Sequence, residues 1–402
     1  MTSGDSEVQR DETPAAPGGD SGGDSKVEAE ETPAAPGGDS KVQADETPAA
    51  PSGNGVAQHP GVPPASRGAD AGAAVLRAGR RLITFSETWT LVALIILIVY
   101  FSFRAPGKFD SLNDFSLMGS ANAWYLVMVV GETFVILTAG IDLAVGAVLV
   151  MAGVVADLYC LHHGGASASW AVIGVGSVLG LATGAGCGAV QGLGVTKLKV
   201  PPLIVTLGGF IAFTGAAYLI TGGSDFRNAP NRLVNTIGLG NVPGTPLPWL
   251  IAISFAAVIV FGLILAFTRF GRYTYAIGSN PEAARRAGIA VDRHLIKVYA
   301  LSGLMAGLAG ILSLANFGTT TLAGHSFDNL TVITGVVLGG ASLFGGRGTM
   351  LGSVIGLAIP AVLLTGLTII GLNTYWQDVA IGAVLVAAVS LDQFRHRLRE
   401  RA

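Results

Sequence analysis

Charge is scarce in this chain. Only 12% of its 402 residues are Asp, Glu, Lys or Arg, where an ordinary soluble domain carries about a quarter. With half of the residues hydrophobic and a mean hydropathy of +0.58, that deficit argues against a soluble enzyme and for a polytopic membrane protein. Cysteine is scarcer still. Cys160 and Cys187 both fall in apolar runs without the spacing of a metal site or a redox pair, so they read as packing residues. The phosphate-loop pattern G-x-x-x-x-G-K-[ST] is missing throughout. No paired carboxylates, nucleophile-and-base set or zinc spacing emerges either: His162 and His163 share one loop, His294 adjoins a polar island, and His325 lies in another loop. Chemistry on this chain is therefore not expected, and neither a metal nor a cofactor is implied.

What is present divides into two materials. Residues 1–75 hold 13 acids and 4 bases, and the remainder 13 acids and 20 bases. TPAAP recurs at Thr13–Pro17, Thr32–Pro36 and Thr47–Pro51 among acids, glycines and serines. With so few large apolar side chains, residues 1–80 cannot offset the entropy of ordering and are expected to form a disordered cytoplasmic tail. The tail reads as a solvating extension or an acidic docking arm. Its acidic, polar start is unlike a secretory signal, and the first hydrophobic helix, preceded by Arg77, Arg80 and Arg81, is expected to act as an uncleaved anchor.

The expected membrane body runs from 81 to 395, followed by a basic cytoplasmic terminus at 396–402. Apolar segments fall near 88–103, 119–139, 143–161, 170–194, 201–221, 249–267, 297–316, 329–345, 350–370 and 377–392. The fold class is thus all-α, with about ten transmembrane helices, several of them short. A cytoplasmic N-terminus places sixteen basic residues in inside loops, Arg269, Arg272, Arg285, Arg286, Arg293 and Lys297 among them. Only Arg104, Lys108, Arg227 and Arg232 then fall outside. That split predicts both termini in the cytoplasm and puts the 271–293 island there too.

Several residues stand out against the apolar background. Gly176, Gly180, Gly184, Gly188 and Gly192 recur every four residues and predict a side-chain-free stripe for close helix packing. Glu132 and Asp142 bracket LTAGIDL, with Gly140 between two spans. Carboxylates within a membrane are costly. Asp142 reads as a cap at a turn or as part of a gate, and Glu132 as a helix-to-helix bond, a pore group or both. In GRYTYAIGSNPEAARRAGIAVDR, Asn280 is placed to cap a helix whose first residue is Pro281, with Glu282 in its first turn and Gly288 beyond its end. Ala283 and Ala284 predict a smooth face that suits another protein's groove. LGGASLFGGRGTMLGS, 338–353, reads as a turn whose glycines permit left-handed backbone and close contact, with Arg347 anchoring the inner interface.

Five ordered blocks carry a resemblance: ILTAGIDLAVGAVLVMAGVVAD (136–157), KLKVPPLIVTLGGFIAFTGAAYLITGG (197–223), YAIGSNPEAARRAGI (275–289), LGGASLFGGRGTMLGS (338–353) and GLNTYWQDVAIGAVLV (371–386). In this order they resemble the signature blocks of permease subunits of ribose/xylose-type ABC sugar importers, across roughly 85–395. The resemblance implies a plasma-membrane permease that moves a monosaccharide, ribose or xylose first, by alternating access. It implies a second permease chain, most simply an identical one, an extracytoplasmic sugar-binding protein, and an ABC ATPase subunit that holds the ATP and Mg. Asn280, Pro281, Glu282, Ala283, Ala284, Arg285 and Gly288 would form the cytoplasmic coupling helix that meets the ATPase. No nucleic acid is implied. One departure is Ala144, where the block usually has serine after GIDL.

Other readings predict different features. A branched-chain amino-acid or nucleoside ABC permease shares a related layout, although the GIDL, TLGG and TYWQ blocks favour the sugar group. An ion-gradient symporter would need intramembrane ion ligands and broken helices in two repeats, and no polar coupling island.

Overall fold

The structure, a computed structural model, describes residues 86–109 and 111–400. The tail expected at 1–80 lies outside the described residues, as do the TPAAP repeats. Helices, and no strands, make up the regular structure of the described residues. In chain order they are α1 (Ser86–Arg104), α2 (Leu112–Ala121), α3 (Ala123–Leu137), α4 (Val145–His162), α5 (Trp170–Thr196), α6 (Pro202–Thr221), α7 (Trp249–Phe267), α8 (Arg269–Ser279), α9 (Pro281–Arg286), α10 (Val291–Phe317), α11 (Asp328–Leu338), α12 (Met350–Ile369) and α13 (Thr374–Glu400). A short turn, Asn231–Leu233, runs into a π-turn at Val234–Gly238 between α6 and α7.

The ends of these helices follow local chemistry. Ser111 and Asp114 form a reciprocal capping box on α2, and the hydroxyls of Ser169, Thr268 and Thr349 accept amides at the starts of α5, α8 and α12. Gly222 and Gly318, both left-handed, close α6 and α10.

Seven helices (α4, α5, α6, α7, α10, α12 and residues 375–394 of α13) are long and apolar enough to cross a membrane. α2 and α3 reach that length and apolarity only together, as a pair bent by 56°. The apolar part of α1, Thr88–Arg104, and α11 are shorter. These correspond to the ten apolar segments of the sequence, with two differences. The segment near 119–139 breaks at Asn122, whose side-chain amide donates to the Met118 carbonyl at 2.8 Å. The segment near 329–345 is helical only through Leu338, because the chain turns at Gly339 and takes a left-handed φ of 91° at Gly340. α13 runs through Glu400 and so takes in part of the basic stretch that begins at 396.

α10 is the axis of the body. Its apolar stretch is 78% buried, compared with 11% for α6 and 18% for α13. The glycine stripe of α5 explains how α10 is held. Gly176 and Gly180 lie against the carbonyls of Ala156 and Ala152 on α4, while Gly184, Gly188 and Gly192 lie against Gly303, Tyr299 and Ile296 on α10. Any side chain at Gly188 would occupy the position of the Tyr299 carbonyl. Apolar burial supplies little drive between helices in lipid, so this backbone contact is a large part of what joins α4, α5 and α10.

Candidate functional site

The polar island folds as two short helices set at the end of α7. Thr268 caps α8 by accepting the Gly271 amide at 3.4 Å. α8 is two-faced: Gly271, Thr274, Ile277 and Gly278 are buried, whereas Arg269, Arg272 and Tyr273 are exposed. Thr274 shares a 2.9 Å hydrogen bond with His294 Nε2, which ties α8 to the first turn of α10.

Asn280 then takes an extended backbone, φ −161°, and separates α8 from α9. Its Oδ1 accepts the Ala283 amide at 2.9 Å, and Pro281 fills the first helical position, where an N–H would have no partner. Glu282 is well exposed and pairs with Arg286 at 3.4 Å; Arg285 pairs with Asp292 at 2.8 Å. Pairs so open to water contribute little stability, which leaves their charges available to a partner. Gly288 is left-handed at φ 82° in open space, so its backbone conformation, not crowding, calls for glycine. Asn280, Pro281, Glu282, Ala283, Arg285 and Gly288 are all exposed. Ala284 departs from the expectation of a smooth outer face. It is 4% exposed and packs with Ile277 and Val291, so its methyl fastens α9 to the body and is closed to a partner.

The second assembly is buried. Asp142 lies in the turn before α4, where its Oδ1 accepts the Ala144 amide at 3.0 Å. A turn cap was one expectation for Asp142, and it does hold this amide. It does more, however. Gln191 Nε2 of α5 donates to Oδ1 at 3.2 Å, Ser302 Oγ of α10 donates to Oδ2 at 3.0 Å, and the Asp142 amide donates to Glu132 Oε1 of α3 at 3.2 Å. Four elements meet at Asp142: its carboxylate holds its own turn, α5 and α10, and its backbone amide holds α3. Glu132 is fully buried, and Glu132 Oε2, Gln191 Oε1 and Tyr299 Oη have no hydrogen-bond partner. Among the described residues, no basic side chain pairs with either carboxylate. Gly140 is needed here for space, since an added methyl would lie 2.6 Å from the Tyr299 hydroxyl. Sequence reasoning found Glu132, Gly140 and Asp142 but missed Gln191, Tyr299 and Ser302. A lone glutamine in an otherwise apolar helix was the available signal.

Between these assemblies lies the glycine loop at 339–349. Gly345, Gly346 and Gly348 are left-handed, as their composition predicted. The Gly346 amide donates to the Leu137 carbonyl at 2.9 Å, and Tyr275 Oη of α8 donates to the Gly348 carbonyl at 2.8 Å. Asp392 of α13 accepts the Leu343 amide at 3.1 Å.

A further cluster corrects the reading that the histidines form no constellation. His325 shares a 2.7 Å hydrogen bond with Ser313 through Nε2 and a 2.6 Å one with Asp328 through Nδ1, while Tyr125 Oη donates to Asp328 at 2.9 Å. The His-x-x-Asp spacing was the sequence signal. The order of groups is that of a nucleophile, base and orienting acid. Yet Ser313 is 3% exposed within α10 and His325 is 4% exposed, so a substrate has no approach. The cluster ties the 318–327 loop to α3, α10 and α11.

Comparison with known proteins places these features in a family. The family model described as "Branched-chain amino acid transport system / permease component" matches residues 117–389. The ribose import permease protein of Escherichia coli (strain K12) is 37% identical over 324 residues, covering 78% of this chain and 97% of that protein. The fructose import permease protein of Rhizobium meliloti is 34% identical over 312 residues, covering 76% and 84%. The D-allose transport system permease protein of Escherichia coli (strain K12) is 33% identical over 305 residues, covering 76% and 90%. No solved structure matches the chain.

Proposed function

This chain belongs to the permease-component family of ABC transport systems, and on that premise we propose that it is the membrane-spanning subunit through which an ATP-driven importer moves a monosaccharide. It is a transporter component, not an enzyme. The observation that carries the reading is α9: a short, capped, solvent-exposed helix fastened by Ala284 to an apolar body. Such a rigid lever suits a separate motor. An ABC ATPase subunit, holding ATP and Mg, would grip Asn280, Pro281, Glu282, Ala283, Arg285 and Gly288. Its closure would bias the permease between outward and inward access.

Three further parts complete the proposal. A second permease chain, most simply an identical copy, would share the membrane. An extracytoplasmic sugar-binding protein would deliver the solute. In the plasma membrane both termini would face the cytoplasm, a placement supported by the sixteen-to-four distribution of basic residues. The relatives are named for ribose, fructose and allose. Ribose and xylose are the first sugars to test, and the amino-acid reading is not retained.

Uptake of labelled ribose and xylose by a strain lacking and then regaining this chain tests the transport reading. In the same strain, Glu282→Cys in a background without Cys160 and Cys187 should react with an impermeant thiol reagent only in inside-out vesicles. Labelling from the outer face would refute the lever.

A further inference from the structure

We infer that the glycine loop between α11 and α12 is a positioning element that carries displacement of α9 to the buried Asp142 node; this rests on the importer reading above. The carbonyl of Leu137, the last residue of α3, is the meeting point. It accepts the Gly346 amide at 2.9 Å, and it lies where any side chain on Gly278 of α8 would have to be. Gly278 is two residues before Asn280, the cap of α9. Gly345 fits against the Gly278 carbonyl and Ala139, and Gly346 fits against Ser279. Tyr275 closes the joint by donating to the Gly348 carbonyl at 2.8 Å. Three backbone segments, 278–279, 345–348 and 137–139, are therefore in contact with almost no side chain between them.

Backbone-to-backbone contact leaves little to absorb movement, because packed interiors are poorly compressible and flexible side chains are the usual slack. Displacement of α8 and α9 must push on the turn after α3. That turn already holds Ala139 at a left-handed φ of 61°, a conformation unfavourable for a residue with a Cβ. Gly140 follows, where a side chain would meet the Tyr299 hydroxyl, and two residues later Asp142 joins α3, α5 and α10. A small change at α9 thus reaches the residue that bonds α5 and α10 through its carboxylate and α3 through its amide.

The test uses the full-length chain reconstituted in nanodiscs with the ATPase subunit of its own system. Amide hydrogen exchange at residues 137–144 is measured without nucleotide and with ATP and vanadate. The variants are Tyr275→Phe, which removes one hydrogen bond and keeps the ring, and Gly346→Ala. In the wild type, nucleotide should change exchange at the turn by roughly fivefold or more, the scale of an ordinary allosteric coupling. In both variants that response should fall to near nothing while the ATPase subunit still co-purifies. A wild-type response that persists unaltered in both variants overturns the relay alone, as does a wild-type turn that does not respond. A wild-type chain that fails to bind the ATPase subunit overturns the importer reading and the relay with it.

Discussion

Ser302 and Asp142 lie 160 positions apart in the chain, yet the serine hydroxyl donates to the carboxylate at 3.0 Å in a fully enclosed site. This bond links the central helix α10 to the turn that begins α4. Ser302→Ala leaves Asp142 Oδ2 without its donor, and an unsatisfied buried polar atom costs about 1–3 kcal/mol. Thermal unfolding in detergent should show that loss, and Asp142→Ala, which also releases Gln191 and the Ala144 amide, should show a larger one.

Gly188→Ala places a methyl on the Tyr299 carbonyl and should destabilise by about 1–3 kcal/mol, as overpacking does. Gly186→Ala lies on the same helix with nothing near its Cβ position. It should be neutral, or stabilising by up to about 1 kcal/mol through helix propensity. Measuring both separates packing from an intrinsic effect of glycine; equal losses would contradict the stripe.

Asn280→Ala removes the α9 cap and should cost about 0.5–2 kcal/mol locally. Gly288→Ala forces an L-residue into a left-handed conformation at about 1–2 kcal/mol. Since α9 is held to the body chiefly by Ala284, both variants should fold and insert while transport and ATPase co-purification fall. Glu282→Gln should leave the unfolding temperature unchanged, so any loss of co-purification there reports the contact itself.

His325→Ala strips partners from Ser313 and Asp328 and should destabilise by about 1–3 kcal/mol, seen as a lower unfolding temperature. Because Ser313 is enclosed, a fluorophosphonate probe should leave it unlabelled in the folded protein. Labelling would mean that the cluster is open and reactive.

The residues that sequence alone settled are those whose signals act within a turn. Asn280, Pro281 and Gly288 mark α9 because a cap reaches three residues ahead, proline fixes its own φ and glycine permits its own left-handed turn. The glycines four apart predicted the seam of α5, since that spacing places them on one helix face. Apolar run lengths gave the helical membrane body, because lipid requires backbone groups to be satisfied within each helix.

Tertiary structure decided what depends on distant partners. The Asp142 node joins residues 10, 49 and 160 positions away, and no local pattern specifies which hydroxyl or amide will arrive there. The inward turn of Ala284 and the pairing of His325 with Ser313 were likewise fixed by packing. A sequence lists which groups need partners; only the folded chain, by excluding water and bringing α3, α5 and α10 together, determines which partners they find.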